Sequence, residues 1–272
     1  MIQNQLLEIW RQGEAVVNAW LHIPHSYSAE VISRTGFDAV TCDMQHGLVD
    51  YTALLTMFTA ISTTAAVPLA RVPGLDPALI GRILDAGALG VICPMINTPE
   101  DAGLLVSSCR YAPQGRRSFG PNRASFLGAD YVNDANQIVV PFAMIETAQA
   151  LQNLDLILST EGMRAVYVGP ADLALSLGCT PKVDPTERVV IDAIEHIVQR
   201  ARSKNVIAGI HTGSAQGAQK MIDKGYQLVT LSSDRVMLET MARKMLGEMR
   251  ESLGRGSPAR RLNADQTPAD SY

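Results

Sequence analysis

Residues 138–147, Ile138-Val139-Val140-Pro141-Phe142-Ala143-Met144-Ile145-Glu146-Thr147, and residues 165–172, Ala165-Val166-Tyr167-Val168-Gly169-Pro170-Ala171-Asp172, decide the fold. Each is an apolar run without polar alternation that ends in a carboxylate. Such runs are expected of parallel strands buried on both faces. The segment between them is long enough for one helix to carry the chain back along the sheet. The same unit recurs in both directions, with further apolar runs at residues 15–23, 39–43, 66–72, 90–95, 206–211 and 228–231.

The stretches between these runs carry helix punctuation. Asp76-Pro77, Thr98-Pro99 and Asp184-Pro185 each set a capping residue before a proline suited to a first helical position. Gly36, Gly87, Gly162 and Gly225 stand where left-handed C-caps would end helices. Eight strands alternating with helices predict a (β/α)8 TIM-type barrel. A doubly wound sheet would carry a glycine fingerprint after its first strand, and none follows Ile23. The 272 residues suit one barrel of about 250, assigned here to residues 1–253. Two regions break the rhythm. Residues 111–137 are rich in Gly, Pro, Arg and Asn and are expected to form an active-site loop. Residues 254–272 are polar and expected to be a disordered tail.

Composition narrows the function. A net charge of −4 and a pI near 5.7 leave no basic footprint for nucleic acid. No apolar run is long enough for a membrane helix, and the first residues show no basic-then-apolar secretory pattern. Cys42, Cys93, Cys109 and Cys179 are widely spaced, without a C-x-x-C pair, as expected of reduced thiols in the cytoplasm.

In such barrels chemistry sits where strands end. Glu146 and Asp172 follow adjacent strands, where two carboxylates either raise one another's pKa or share a cation. With water and substrate oxygens they would suit Mg²⁺ or Mn²⁺, Co²⁺ and Zn²⁺ being alternatives. The bland reading of each is a helix cap. Arg71 ends an apolar strand and could grip a carboxylate with its planar fork, or merely form a rim salt bridge. His46, three residues beyond Asp43, could move protons with that carboxylate as its orienting partner, or be structural. His211 ends another strand and could line an acceptor pocket. His22, His25 and His196 are weaker candidates, His196 as a surface residue of a helix.

Taken in order, these segments resemble the HpcH/HpaI aldolase family, the metal-dependent class II pyruvate aldolases. The resemblance runs from Gly36-Phe37-Asp38 through Asp43 and His46 to Arg71-Val72-Pro73, then through Ile83-Leu84-Asp85-Ala86-Gly87 and Pro94-Met95. It continues with Tyr111-Ala112-Pro113-Gln114-Gly115-Arg116-Arg117, Ile145-Glu146-Thr147 and Gly169-Pro170-Ala171-Asp172-Leu173. It implies a lyase that reversibly cleaves 4-hydroxy-2-oxo acids to pyruvate, or a related 2-oxo acid, and an aldehyde. The metal would lie on Glu146 and Asp172, with Arg71 steadying the developing enolate oxygen and His46 moving protons. The backbone of Gly169, Pro170 and Ala171 would hold the substrate carboxylate. It also implies a homohexamer with exchanged C-terminal helices, in which Asp85 reaches a neighbouring site. Gln45 and Met144 depart from the family's usual glutamate and glutamine, which leaves substrate preference open. A condensing synthase on the same scaffold is the alternative, and a non-catalytic binding barrel the rival from another class.

Overall fold

The computed structural model describes residues 2–254. Its strands are β1 (Val16–Leu21), β2 (Ala39–Asp43), β3 (Val67–Arg71), β4 (Gly90–Cys93), β5 (Val140–Ile145), β6 (Ala165–Val168), β7 (Ile207–His211) and β8 (Leu228–Ser233). All neighbours are parallel, in sequence order, and β8 closes on β1. The (β/α)8 barrel expected from the alternation is therefore the fold. Its strands are buried almost throughout, which explains why their sequences lack a polar face.

The surrounding helices form for local reasons. The helix Arg188–Ser203 buries Val190, Ile194, Ile197, Val198 and Ala201, one stripe at helical spacing. Asp76 accepts from the Ala78 amide ahead of the helix Pro77–Asp85, and Thr98 and Asp101 make a reciprocal capping box before Pro99–Ser108. Gly87 and Gly225 have φ of 106° and 105°, the left-handed turn that a side chain would resist. Asp184-Pro185 does not start a helix, contrary to expectation. Asp184 Oδ1 instead accepts from the Gly213 amide at 3.3 Å, and the next helix begins at Arg188.

The long connection over residues 111–137 has a definite place in the chain order. It runs from the end of the helix Pro99–Ser108 to the start of β5, so it lies at the end of the barrel opposite the strand C-termini. There Arg123 donates to the carbonyls of Ala86 and Phe58 and to the Ser62 hydroxyl, tying the connection to the ends of two helices. Chain direction rather than composition decides the matter, because only a strand-to-helix loop opens on the catalytic mouth of its own barrel. The expected tail, from residue 255 onward, lies outside the described residues. No helix among the described residues is long and apolar enough to cross a membrane.

Candidate active site

Parallel register builds the first half of the mouth. Asp43 pairs with Arg71 across β2 and β3, so both side chains project from one level into the barrel. Arg71 Nε and Nη2 donate to Asp43 Oδ1 and Oδ2 at 2.8 and 2.6 Å, and both residues are fully buried. Oδ1 also accepts from the amides of Gln45 (3.0 Å) and His46 (3.4 Å), and Oδ2 from that of Gly47 (3.1 Å). Burial alone would raise the pKa of Asp43, but the contacts with His22 and then Arg71 hold it well below the usual carboxylate range.

The Arg71 fork, for which the sequence left a substrate carboxylate or a salt bridge open, is turned on Asp43. Asp43 accepts from the backbone amide of His46, and the His22 imidazole also stands at its carboxylate. His22 Nε2 lies 3.1 Å from Asp43 Oδ2, an ion-pair distance without the alignment of a hydrogen bond. The guanidinium of Arg71 also lies 4.9 Å from the centre of the Trp20 ring.

The second half of the mouth comes from β5 and β6. Glu146 follows β5 and is buried, and its Oε1 accepts from the Met95 amide at 2.8 Å. Met95 reaches that position with a φ of 57°, rare for a residue other than glycine. Burial pushes the Glu146 carboxyl up to about 7, with the Met95 amide opposing, Asp172 adding repulsion and Arg71 opposing. Asp172 sits in the first turn of the helix Pro170–Ser176, where its charge reaches Glu146. Gly169 begins that turn without a side-chain cap, and Pro170 and Ala171 are buried in it.

This donor set fits a hard divalent cation. A buried carboxylate made costly by desolvation and by a neighbouring carboxylate is relieved by a positive charge shared between them. The Gln45 amide oxygen, on the same mouth, is buried without a partner among the described residues. Those residues contain no group of three His, Cys, Asp or Glu placed to hold a metal, so a closed zinc-type cage is not built here.

The remaining candidates fall in different places. His46 is exposed at the mouth. His211 is buried inside the barrel, where its Nδ1 lies 3.2 Å from the Tyr167 hydroxyl and its ring meets Trp20 edge-on. Burial, followed by the charges of Arg71 and His22, pushes its pKa down to about 3, so the ring is a neutral member of the barrel's interior network. Asp85 ends the helix Pro77–Asp85 and pairs with Arg117 at 2.8 Å, at the end of the barrel away from Glu146. His196 is on the surface, as expected, and His25 caps the helix Ser26–Ser33.

The sequence reading undervalued His22 and missed Met95. His22 carries a legible signal, since it lies two residues after Trp20 and so faces the same interior. Met95 acts through its backbone and has no side-chain signature.

Comparison with known proteins identifies the family. The model of the HpcH/HpaI aldolase/citrate lyase family matches residues 17–239. The chain belongs to that family. A hydroxypyruvate/pyruvate aldolase of Rhizorhabdus wittichii is 41% identical over 248 residues, covering 91% of this chain and 99% of its own. A 4-hydroxy-2-oxovalerate aldolase of Rhodococcus jostii is 34% identical over 241 residues, covering 86% and 92%. The crystal structure of a family protein from Burkholderia cenocepacia superposes with a TM-score of 0.85 at 31% identity, covering 91% of this chain and all of its own. The family member described here is a carbon–carbon lyase.

Proposed function

We propose that this enzyme is a divalent-metal-dependent aldolase that reversibly cleaves 4-hydroxy-2-oxo acids to pyruvate, or a close relative of pyruvate, and an aldehyde. The observation that carries the reading is the buried Glu146 carboxyl at the end of β5, beside Asp172 at the end of β6 and within the field of Arg71. A cation such as Mg²⁺ or Mn²⁺ on Glu146 and Asp172 supplies Lewis acidity toward the 2-oxo group.

The chain's own residues do the rest. Arg71, held rigid by Asp43, stabilises the negative charge that grows on the 2-oxo oxygen as the bond breaks. The turn at Gly169, Pro170 and Ala171 receives the substrate carboxylate at a helix start. His46 takes the proton of the 4-hydroxyl. The C3–C4 bond then breaks, its electron pair passes to the C2–C3 enolate, and the aldehyde departs. The enolate then takes a proton at C3 from the protonated His46 to give the methyl group, which restores the base.

We further infer a homo-oligomer, a hexamer, in which Asp85 serves a neighbouring mouth. Four free cysteines, three of them buried, fit a reducing cytoplasmic setting.

The test is exchange of pyruvate methyl protons in deuterated water. Exchange that requires Mn²⁺ and ceases on chelation, together with pyruvate release from 4-hydroxy-2-oxo acids, supports the reading. Full activity after chelation overturns it.

A further inference from the structure

We propose that His22 is a positioning residue of this active site: its imidazole fixes the Asp43 carboxylate, and through it the Arg71 guanidinium, at the barrel mouth. The proposal rests on the functional reading above and adds to it a residue outside the expected constellation.

Strand register sets the pairing. Trp20 lies opposite Thr41 and Leu21 opposite Cys42, so one further step brings His22 beside Asp43. His22 is buried, with Nε2 3.1 Å from Asp43 Oδ2. That is the same oxygen that receives Arg71 Nη2 at 2.6 Å. Arg71 therefore holds the carboxylate from the β3 side and His22 from the β1 side. The Gln45, His46 and Gly47 amides hold the carboxylate from its own loop, so what His22 adds is a stop against a shift of the carboxylate and guanidinium toward β1.

The backbone of His22 cannot follow such a movement. Its amide donates to Asp234 Oδ1 at 2.9 Å, and the Ile23 amide donates to Asp234 Oδ2 at 3.2 Å. Its carbonyl accepts from the Leu48 amide at 3.0 Å. Gly47 lets the β2 loop come this close, because a Cβ there would lie 2.3 Å from the Asp43 carbonyl oxygen and 3.1 Å from the His22 Cα. Asp234, His22, Asp43 and Arg71 thus form one run of contacts across the ends of β8, β1, β2 and β3. A carboxylate and guanidinium aligned with reacting atoms need such outer support, since small displacements are costly to rate.

The experiment compares two variants of similar size. His22→Leu fills the space but removes the ring nitrogen, whereas His22→Gln keeps an N–H near the position of Nε2. Rates of Mn²⁺-dependent pyruvate proton exchange and of aldol cleavage are measured beside thermal melts. His22→Leu should lower kcat about ten- to a hundredfold, with the KM for pyruvate within about threefold, and His22→Gln should recover kcat to within about threefold of wild type. His22→Met replaces the leucine variant if that protein does not fold. Equal losses in the apolar and Gln variants would reduce His22 to packing and overturn the proposal, as would wild-type rates in both. Wild-type protein that exchanges no protons would overturn the functional reading itself, and this proposal with it.

Discussion

Arg71 and Asp43 form a bidentate ion pair that is wholly buried, with its two hydrogen bonds at 2.8 and 2.6 Å. Its two members depend on each other in different ways. The guanidinium remains charged in any surroundings, so losing its partner leaves an uncompensated buried cation.

Asp43→Asn should therefore destabilise the protein by about 3–5 kcal/mol in urea unfolding, the scale for breaking a buried pair on one side. Adding Arg71→Met to that variant removes the orphaned charge and should restore much of the stability. Activity should stay lost in both, because the cation expected to stabilise the enolate oxygen is displaced or gone. An Asp43→Asn protein as stable as wild type would show that the pair is not held as described.

Glu146 gives a pH prediction with a definite sign. Its carboxyl is pushed from 4.5 to about 7 in the metal-free fold, chiefly by burial. Between those values the native state keeps a proton that the unfolded chain has released. The associated stability is complete below about pH 4.5 and is lost as pH rises through about 7, a change of up to about 3 kcal/mol. A divalent cation replaces that proton, so Mn²⁺ should raise the melting temperature more at about pH 8 than at about pH 5.5. Glu146→Gln should flatten both dependences while keeping the fold. A Mn²⁺ shift that is the same at both pH values, or survives Glu146→Gln, would place the metal elsewhere.

His46 carries the proton chemistry in the proposed mechanism, and its backbone is fixed by Asp43 while its side chain reaches solvent. His46→Ala should cut aldol turnover by about 10² to 10⁴, the range for losing general acid–base catalysis. Metal and pyruvate affinity should change little. Turnover within a few-fold of wild type, with the same pH profile, would assign the base role to a water molecule.

The fold was legible because the strands are buried almost throughout and so appear as apolar runs, and because caps at Asp76, Thr98, Gly87 and Gly225 punctuate the helices. The direction of the chain was legible too, and it placed Glu146, Asp172, Arg71 and His46 on one mouth. What could not be read was which polar groups meet. Asp43 accepts five hydrogen bonds and has the His22 ring at 3.1 Å, and sequence distance favoured His46, three residues away, over His22 just beyond β1. For residues 111–137 composition marks a connection, since Gly and Pro suit a loop, but does not say which end of the barrel it crosses. Asp184-Pro185 has the form of a helix start, yet its carboxylate is drawn to the Gly213 amide.

The helix Asp234–Ser252 makes the last prediction. Its first residue is buried and holds the β1 loop, but Leu238, Met241, Met245, Leu246 and Met249 are each at least half exposed. They recur at helical spacing, so they form an apolar stripe that this chain's own barrel leaves uncovered. Contact with other copies of the chain would cover it. The same assembly would resolve the position of Asp85, which no movement within one subunit can bring from the far end of the barrel to Glu146. Light scattering should then show an oligomer at micromolar concentration, and Leu238→Glu with Met245→Glu should shift it toward smaller species. Asp85→Ala and Glu146→Ala should each be inactive alone. Dissociated together and reassembled, they should regain activity, because some mouths receive an intact Glu146 from one subunit and an intact Asp85 from its neighbour. A monomer by light scattering, or mixtures as inactive as their parents, would confine Asp85 to its ion pair with Arg117.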